Sequence, residues 1–227
     1  FFKIMDRYGL TLPRPRPRRT TNSNHRFHKY KNLIKGLVVT GPNQLWVSDI
    51  TYIDIEGDSD YLHLVTDAYS HKIIGWCLAD SLSARHTLEA LRMAIRQTGK
   101  DNLNGLIHHS DRGIQYCCNA YVEELELHHI SISMTEDYKP TDNAIAERVN
   151  GIIKQELIYR RKRFASHEEA YEAIERFITF YNDSRPHMSI DYQTPSVAHQ
   201  QVGTQQRHWK GYQERCQQNQ YNICQPI

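Results

Sequence analysis

Three acidic residues lie where the surrounding sequence favours a buried strand or an amphipathic helix. Asp49 interrupts the apolar run LWVSDITYI, Asp111 ends the run GLIHHSD, and Glu147 lies within the helical stretch TDNAIAERVNG. Poor solvation and like charge both push a proton back onto a carboxylate that is buried beside other carboxylates. We therefore expect the three acids to converge only at a site that requires negative charge, such as a divalent-metal site.

Such a site favours Mg²⁺ or Mn²⁺. These ions take oxygen ligands, retain several waters and leave positions for phosphate oxygens. Two ions about 3.5–4 Å apart activate the attacking oxygen and stabilise the leaving oxygen of an in-line displacement at phosphorus. The acids therefore predict two Mg²⁺ (or Mn²⁺) ions held by Asp49, Asp111 and Glu147, with phosphoryl transfer as the chemistry.

The predicted helix around Glu147 has an apolar side and a polar side at about 100° per residue. The residues on the narrow polar arc are Asn143, Glu147, Asn150 and Lys154. Amides and a base in line with a metal-binding acid suit a surface that holds a nucleic-acid backbone. We therefore expect the two amides and Lys154, together with the neighbouring Arg148, to bind DNA. A plain solvated helix face is the alternative.

The order of the acids resembles a known catalytic core. Asp49, Asp111 and Glu147, with 35 residues between the last two, resemble the DDE core shared by retroviral integrases and bacterial insertion-sequence transposases. Four flanking motifs resemble the OrfB-type transposases of insertion sequences. They are NQLWVSDITY at 43–52, HSDRGIQY at 109–116, DNAIAERVNG at 142–151, and YNDSRPH at 181–187 followed by a Thr-Pro pair.

This resemblance implies a function as well as a family. A DNA transposase of this kind uses its three acids to cut the 3′ ends of its element and to join them to a target strand. Its partners would be double-stranded DNA, both terminal inverted repeats and target, and further copies of the chain assembled on that DNA. The alternatives are an RNase H-like nuclease that only hydrolyses, and a domesticated DNA-binding protein with a silent core.

The hydrophobic patterns predict an α/β protein. Strands are expected at 45–55, 60–66, 72–79, 105–109 and 129–134, and helices at 83–97, 115–126, around Glu147, and at 167–182. This order is that of the RNase H-like fold, a mixed five-stranded sheet flanked by helices. It would place Asp49 on the first strand beside Asp111 at the end of the fourth.

Charge separates a basic beginning from an acidic remainder. Residues 1–36, the basic segment, hold ten Lys or Arg against one Asp, a charge of +9, so a net charge of +2 leaves −7 elsewhere. The run RPRPRR has too little apolar content to fold, and Pro disfavours a helix. We expect the basic segment to be an arm ordered only by DNA or a second protomer, although a solvated linker is the alternative. The arginines expected to bind phosphates are Arg14, Arg16, Arg18 and Arg19.

The predicted domain organisation has four parts. Residues 1–42 form the basic arm, which the resemblance places at the end of an upstream helix-turn-helix DNA-binding region. Residues 43–160 form the integrase-like catalytic core, 161–200 a helical extension of that core, and 201–227 a polar tail.

Composition favours a cytoplasmic protein, and the resemblance to insertion-sequence transposases implies a bacterial, nucleoid-associated one. No apolar run approaches the roughly 18 residues of a membrane span, and the first residues lack a secretory hydrophobic region. The five cysteines have no regular spacing, so reduced thiols in a cytoplasm are expected. No membrane partner is predicted.

Several conspicuous residues have ordinary structural interpretations. We expect Trp46 to be a core residue and Asp67 to cap a turn, with a fourth metal-site acid as the alternative for Asp67. Residues 185–187 are expected to close the domain, with a phosphate contact as the alternative. A position near the reacting phosphate remains open for His108 or His109.

Overall fold

The strands form where apolar and β-branched residues alternate. The computed structural model describes residues 7–8, 24–136, 143–159 and 163–205. Its strands are β1 (Leu45–Ile55), β2 (Asp58–Asp67), β3 (Ile73–Ala79), β4 (Ile107–Ser110) and β5 (Ser131–Met134). All five lie within two residues of their predicted bounds.

The helices lie between and after the strands. They are α1 (Ala84–Thr98), α2 (Ile114–Cys117), α3 (Asn119–Leu127), α4 (Ala144–Ile153), α5 (His167–Asp183) and α6 (Pro195–Ala198). A π-helical turn, Lys154–Ile158, continues α4, and 3₁₀ turns lie at Lys100–Asn102 and Met188–Ile190. None of the helices in the described ranges is long and apolar enough to cross a membrane.

Connection length decides the strand directions. The five-stranded sheet has the order β3-β2-β1-β4-β5. The tight turn at Gly57, whose φ is +86°, makes β1 and β2 antiparallel, and β2 and β3 are also antiparallel. The helical crossovers make β4 parallel to β1, and β5 parallel to β4. The sheet is therefore mixed and flanked by helices, as predicted.

Alternation along β1 separates two apolar layers. Trp46 and Ile50 face α1, α2 and α3, whereas Ile53 and Ile55 face α4 and α5. Trp46 is fully buried, which confirms it as a core residue. Because side chains alternate across a strand, Asp49 shares the face of Ile53 and therefore faces α4.

The helix predicted over residues 115–126 is broken at Cys118. This residue is extended, with φ −69° and ψ 149°, and separates α2 from α3. Tyr116 and Tyr121 would lie on different faces of one continuous helix, since they are five residues apart. The break lets both rings contact the buried His108, with ring centroids 6.3 and 5.4 Å away.

Part of the basic segment lies along the outer edge of β5. The carbonyl of Lys31 accepts a hydrogen bond from the Met134 amide over 3.3 Å, and the Leu33 amide donates to Ser133 Oγ over 2.9 Å. These contacts occupy a sheet edge that would otherwise be open. The prediction that the whole basic segment is ordered only by DNA or a second protomer is therefore wrong for residues 24–36.

Candidate active site

The register of two parallel strands places two of the acids side by side. Leu45 is paired with Ile107 and Val47 with His109, so each partner lies 62 positions further along the chain. The same offset carries Asp49 to Asp111. The two carboxylates are close enough that the negative charge of Asp111 raises the pKa of Asp49.

Asp49 is a half-buried carboxylate held by two donors. Its Oδ1 accepts the Ile50 amide over 2.9 Å, and its Oδ2 accepts Asn150 Nδ2 over 2.6 Å. Burial first, and Asp111 second, raise the pKa of Asp49 to about 7, against the lowering effects of these bonds and of Lys154. The ionised form of Asp49 therefore has too little positive charge nearby to offset its burial and its repulsion by Asp111.

Asp111 begins the turn that follows β4. Its Oδ1 accepts the Gly113 amide over 2.8 Å. A Cβ at Gly113 would lie 2.9 Å from that oxygen and 2.9 Å from Gln115 Oε1. The glycine therefore allows the backbone to approach the carboxylate closely enough to orient it.

Glu147 is exposed on α4 between two residues that contact β1. Asn143 Nδ2 donates to the Ser48 carbonyl over 3.2 Å, and Asn150 reaches Asp49. These bonds fix the helix along the strand on both sides of Glu147. In the part of the chain that the structure describes, however, the carboxylates of Asp49, Asp111 and Glu147 do not all have oxygens within 4.8 Å of one another.

The predicted polar arc of α4 is therefore divided. Asn143 and Asn150 are buried against β1. The expectation that they lie on an exposed line is wrong, because Asn143 precedes the helix and both side-chain amides donate hydrogen bonds to β1. Lys154 is half-buried, and its positive charge lowers the pKa of Asp49. Arg148 is exposed and faces away, where it lines a cavity of about 1050 Å³ with Tyr181.

Sequence reasoning missed a buried polar network behind the acids. His108 Nε2 lies 2.8 Å from Ser48 Oγ and 2.9 Å from Tyr121 Oη. Burial lowers the pKa of His108 to about 3, so its ring is neutral. His109 is also fully buried and contacts Ser133 Oγ. Neither histidine is exposed to solvent, so a direct contact with a phosphate is not favoured. The signal in the sequence was a polar residue at an inward strand position.

Asp67 caps a turn, as expected. Its Oδ1 accepts the amide and hydroxyl of Ser70 over 2.8 and 2.7 Å, and its Oδ2 accepts the Asn43 amide. It is completely buried. The Ser70 contacts cap the turn after β2, and the Asn43 contact ties that turn to the segment before β1, which confirms the structural interpretation.

The segment after α5 closes the domain. Arg185 forms a two-point ion pair with Glu156, with Nε 2.9 Å from Oε2 and Nη2 2.5 Å from Oε1. The His187 amide donates to the Gln193 carbonyl. Arg185 thereby ties the end of α5 to the π-helical turn beyond α4, which confirms the structural role predicted for residues 185–187.

The residues around Asp49 fit a hard divalent ion. Carboxylates from β1 and from the turn after β4 supply oxygen ligands, and a cation would offset the burial and the repulsion from Asp111 that raise the pKa of Asp49. The buried Oδ1 of Asn150 has no hydrogen-bond partner among the described residues, so it remains available to a bound water. The four predicted phosphate-binding arginines, Arg14, Arg16, Arg18 and Arg19, lie outside the described residues.

This mixed sheet and its flanking helices define an RNase H-like fold. The catalytic core domain of HTLV-2 integrase, solved in complex with magnesium, is similar, with a TM-score of 0.53 and 20% identity over 70% of this chain and 97% of that one. The Integrase core domain family matches residues 39–140, and a second Integrase core domain model matches 128–195.

Sequence relatives identify the family more closely. The chain is 34% identical over 188 residues to the protein assigned as transposase of insertion sequence element IS986/IS6110 in Mycobacterium tuberculosis, covering 81% of this chain and 68% of that protein. It is 33% identical over 198 residues to the transposase for insertion sequence element IS904 of Lactococcus lactis, covering 86% and 70%. The chain belongs to the insertion-sequence transposases, which are polynucleotidyl transferases with an integrase core.

Proposed function

We propose that Asp49, Asp111 and Glu147 are the catalytic and metal-binding residues of this transposase. The observation that supports this most strongly is that Asp49 lies between Asp111 on one side and helix α4, which carries Glu147, on the other. The 2.6 Å bond from Asn150 to Asp49 orients the carboxylate and holds the helix beside it.

The proposed cofactor is a pair of Mg²⁺ or Mn²⁺ ions per site. Magnesium is bound in the HTLV-2 integrase core of similar fold. Asp49, Asp111 and Glu147 would hold the ions, which when bound supply activation of the attacking oxygen and stabilisation of the leaving oxygen. Glu147 would have to move inward, and its exposure on α4 allows that.

The substrates proposed are the terminal inverted repeats of an insertion sequence and a target duplex. Water or a DNA 3′-hydroxyl attacks phosphorus in line, so the chain first frees a 3′ end and then joins it to a second strand. Lys154, whose charge lowers the pKa of Asp49, would contact a phosphate near that carboxylate. Multiple copies of the chain would assemble on the DNA, in the bacterial cytoplasm and at the nucleoid.

The domain division is proposed with one adjustment. Residues 43–160 carry the three acids, 161–200 cover one face of the core, and 201–227 form a tail. The arm of residues 1–42 is proposed to deliver DNA through its arginines, but its portion from residue 24 onward is anchored on β5.

A strand-transfer assay with a pre-cut 3′ end of the element tests the proposal. Joined product is expected in Mg²⁺, and Asp49→Asn, Asp111→Asn and Glu147→Gln should each abolish joining and cleavage while DNA binding survives. Asp101→Asn, which removes an exposed acid in a 3₁₀ turn, is the matched control. Joining retained by any one variant would remove that residue from the site, and hydrolysis alone would indicate a nuclease.

A further inference from the structure

A second group of metal-ligating side chains lies away from Asp49. A sulfur, a ring nitrogen and a carboxylate oxygen, from Cys77, His86 and Glu89, lie within 4.8 Å of one another. Cys77 Sγ is 3.3 Å from Glu89 Oε2, and His86 Nδ1 is 3.5 Å from the same oxygen. Within the described ranges this is the one group of three His, Cys, Asp or Glu ligands that is so close.

The two distances to Glu89 Oε2 are close to the edges of a tetrahedron around zinc, the sulfur-to-oxygen distance being slightly short. Zinc binds sulfur at about 2.3 Å and nitrogen or oxygen at about 2.0–2.2 Å. At tetrahedral angles those bond lengths separate neighbouring ligand atoms by about 3.3–3.7 Å. An ion would therefore enter the cluster after a small separation of Cys77 Sγ from Glu89 Oε2.

The candidate for a fourth ligand, His63 on the next strand, lies outside the group of three ligand atoms within 4.8 Å of one another and would have to move toward the ion. His63 is the register partner of Cys77, so both side chains lie on the same face of the sheet. The His63 ring is completely buried and lies 6.0 Å from the His86 ring. Its Nδ1 contacts Thr87 Oγ1 over 2.9 Å. The ring also interacts with the backbone of Ser81, so His63 would exchange that contact for the ion. A metal-binding histidine commonly uses one nitrogen for the ion and fixes the other by a hydrogen bond.

The fold holds the two elements of this cluster tightly together. A Cβ at Gly75 would lie 2.2 Å from the Ala90 carbonyl oxygen, so only glycine lets α1 rest directly on β3. His86 and Glu89 are three residues apart on α1 and therefore share a face. The His86 side chain is 10% exposed and that of Glu89 is 50% exposed, so an ion has a route from solvent into a mostly buried site.

The donor set distinguishes this site from that of Asp49. Thiolate and imidazole ligands favour Zn²⁺ over Mg²⁺, whereas carboxylate oxygens favour the reverse. Asp49 pairs with Leu64, the neighbour of His63 on β2, so the two sites lie on opposite faces of the sheet.

We propose that Cys77, His86 and Glu89, with His63 as the fourth ligand, bind a Zn²⁺ ion that joins α1 to β2 and β3. The alternative is a plain hydrogen bond from the Cys77 thiol to Glu89 without an ion. The proposal does not depend on the catalytic assignment of Asp49.

Cobalt substitution separates these possibilities. The chain carrying Asp49→Asn and Asp111→Asn, which removes the competing oxygen site, is titrated with Co²⁺. A thiolate-to-cobalt absorption band is expected to saturate at one ion per chain and to disappear when Zn²⁺ is added. Absence of the band would overturn the proposal.

Variants identify the ligands. Cys77→Ser should abolish the band, and Glu89→Gln, at a half-exposed position, should weaken Zn²⁺ binding by more than about tenfold. Cys118→Ser, at another half-buried cysteine, is the matched control and should leave the band unchanged. A band that survives Cys77→Ser would show that another thiol binds the ion and would refute the site.

The role of His63 has its own test. Thr87→Val removes the hydrogen bond to His63 with little change in shape, and should reduce Zn²⁺ affinity by about 10–100-fold if His63 is a ligand. Unchanged affinity would remove His63 from the ligand set. Circular dichroism of each metal-free variant checks that the fold is retained.

Discussion

Asn150 donates a hydrogen bond from Nδ2 to Oδ2 of Asp49 over 2.6 Å. The two residues are 101 positions apart in the chain and come from α4 and β1. Glu147 lies one helical turn before Asn150. The bond therefore orients the Asp49 carboxylate. Because the helix is rigid, the bond also fixes the backbone position of Glu147.

We expect Asn150→Ala to impair strand transfer by about 10–100-fold, the usual cost of losing a partner that orients a metal ligand. The loss should be accompanied by a higher Mg²⁺ concentration for half-maximal rate, because Asp49 becomes less well oriented and more easily protonated. Single-turnover joining measured across a Mg²⁺ titration provides both values. Gln155→Ala, at an exposed neighbouring position, is the control. An unchanged Mg²⁺ requirement would limit Asn150 to helix packing.

Stability should depend on the ionisation of Asp49. Burial and the charge of Asp111 raise its pKa from the ordinary value of 3.8 to about 7, so the folded state binds the proton more tightly than the unfolded state. Folding stability from this group is therefore greatest below about pH 4, falls as the pH rises toward 7, and is constant above that. The fall is bounded by about 4 kcal/mol.

The comparison of wild type with Asp49→Asn isolates this effect. In EDTA, urea unfolding at pH 5 and pH 8 should show a larger decline for the wild type than for the variant, since other groups contribute equally to both. Mg²⁺ should reduce the difference because it favours the ionised carboxylate. Identical declines for the two proteins would contradict the raised pKa.

Lys154 is expected to contact one DNA phosphate. Its charge already acts on Asp49, so a phosphate at the active site would lie within its reach. Lys154→Ala should weaken binding similarly for all sequences and reduce the slope of log affinity against log salt by about 1. Lys100→Ala, at an exposed turn remote from β1, is the control. A slope equal to that of the control variant would count against the contact.

Two truncations should divide the basic segment into a DNA-binding part and a structural part. Deleting residues 1–23, which hold six Lys or Arg and one Asp, should leave thermal unfolding unchanged and weaken DNA binding, most clearly at low salt. Deleting residues 1–36 should in addition lower the unfolding temperature, because it exposes the β5 edge that Lys31 and Leu33 cover.

The charge-specific control replaces Arg14, Arg16, Arg18 and Arg19 with Gln. If each arginine meets one phosphate, the salt slope should fall by about 3 to 4. Equal unfolding temperatures for the two truncated proteins would show that residues 24–36 contribute little to stability.

The sequence by itself determined the class of fold and the candidate acids. Short alternating strands and amphipathic helices have local periodicity. Their order could therefore be predicted, and their bounds could be predicted to within a few residues. Asp49 was conspicuous because a charge inside an apolar strand is unfavourable without a partner. The basic charge of residues 1–36 was likewise evident from composition, since it needs no knowledge of packing.

Only the tertiary structure decided which polar groups meet. A helical projection placed Asn150 beside Glu147 but carried no information on β1, so its bond to Asp49 was not predictable. The same is true of Cys77, His63 and Glu89, which come from three elements and have no motif spacing. Contacts between distant segments depend on strand register and helix packing, and these arise from the sum of many weak interactions over the whole core.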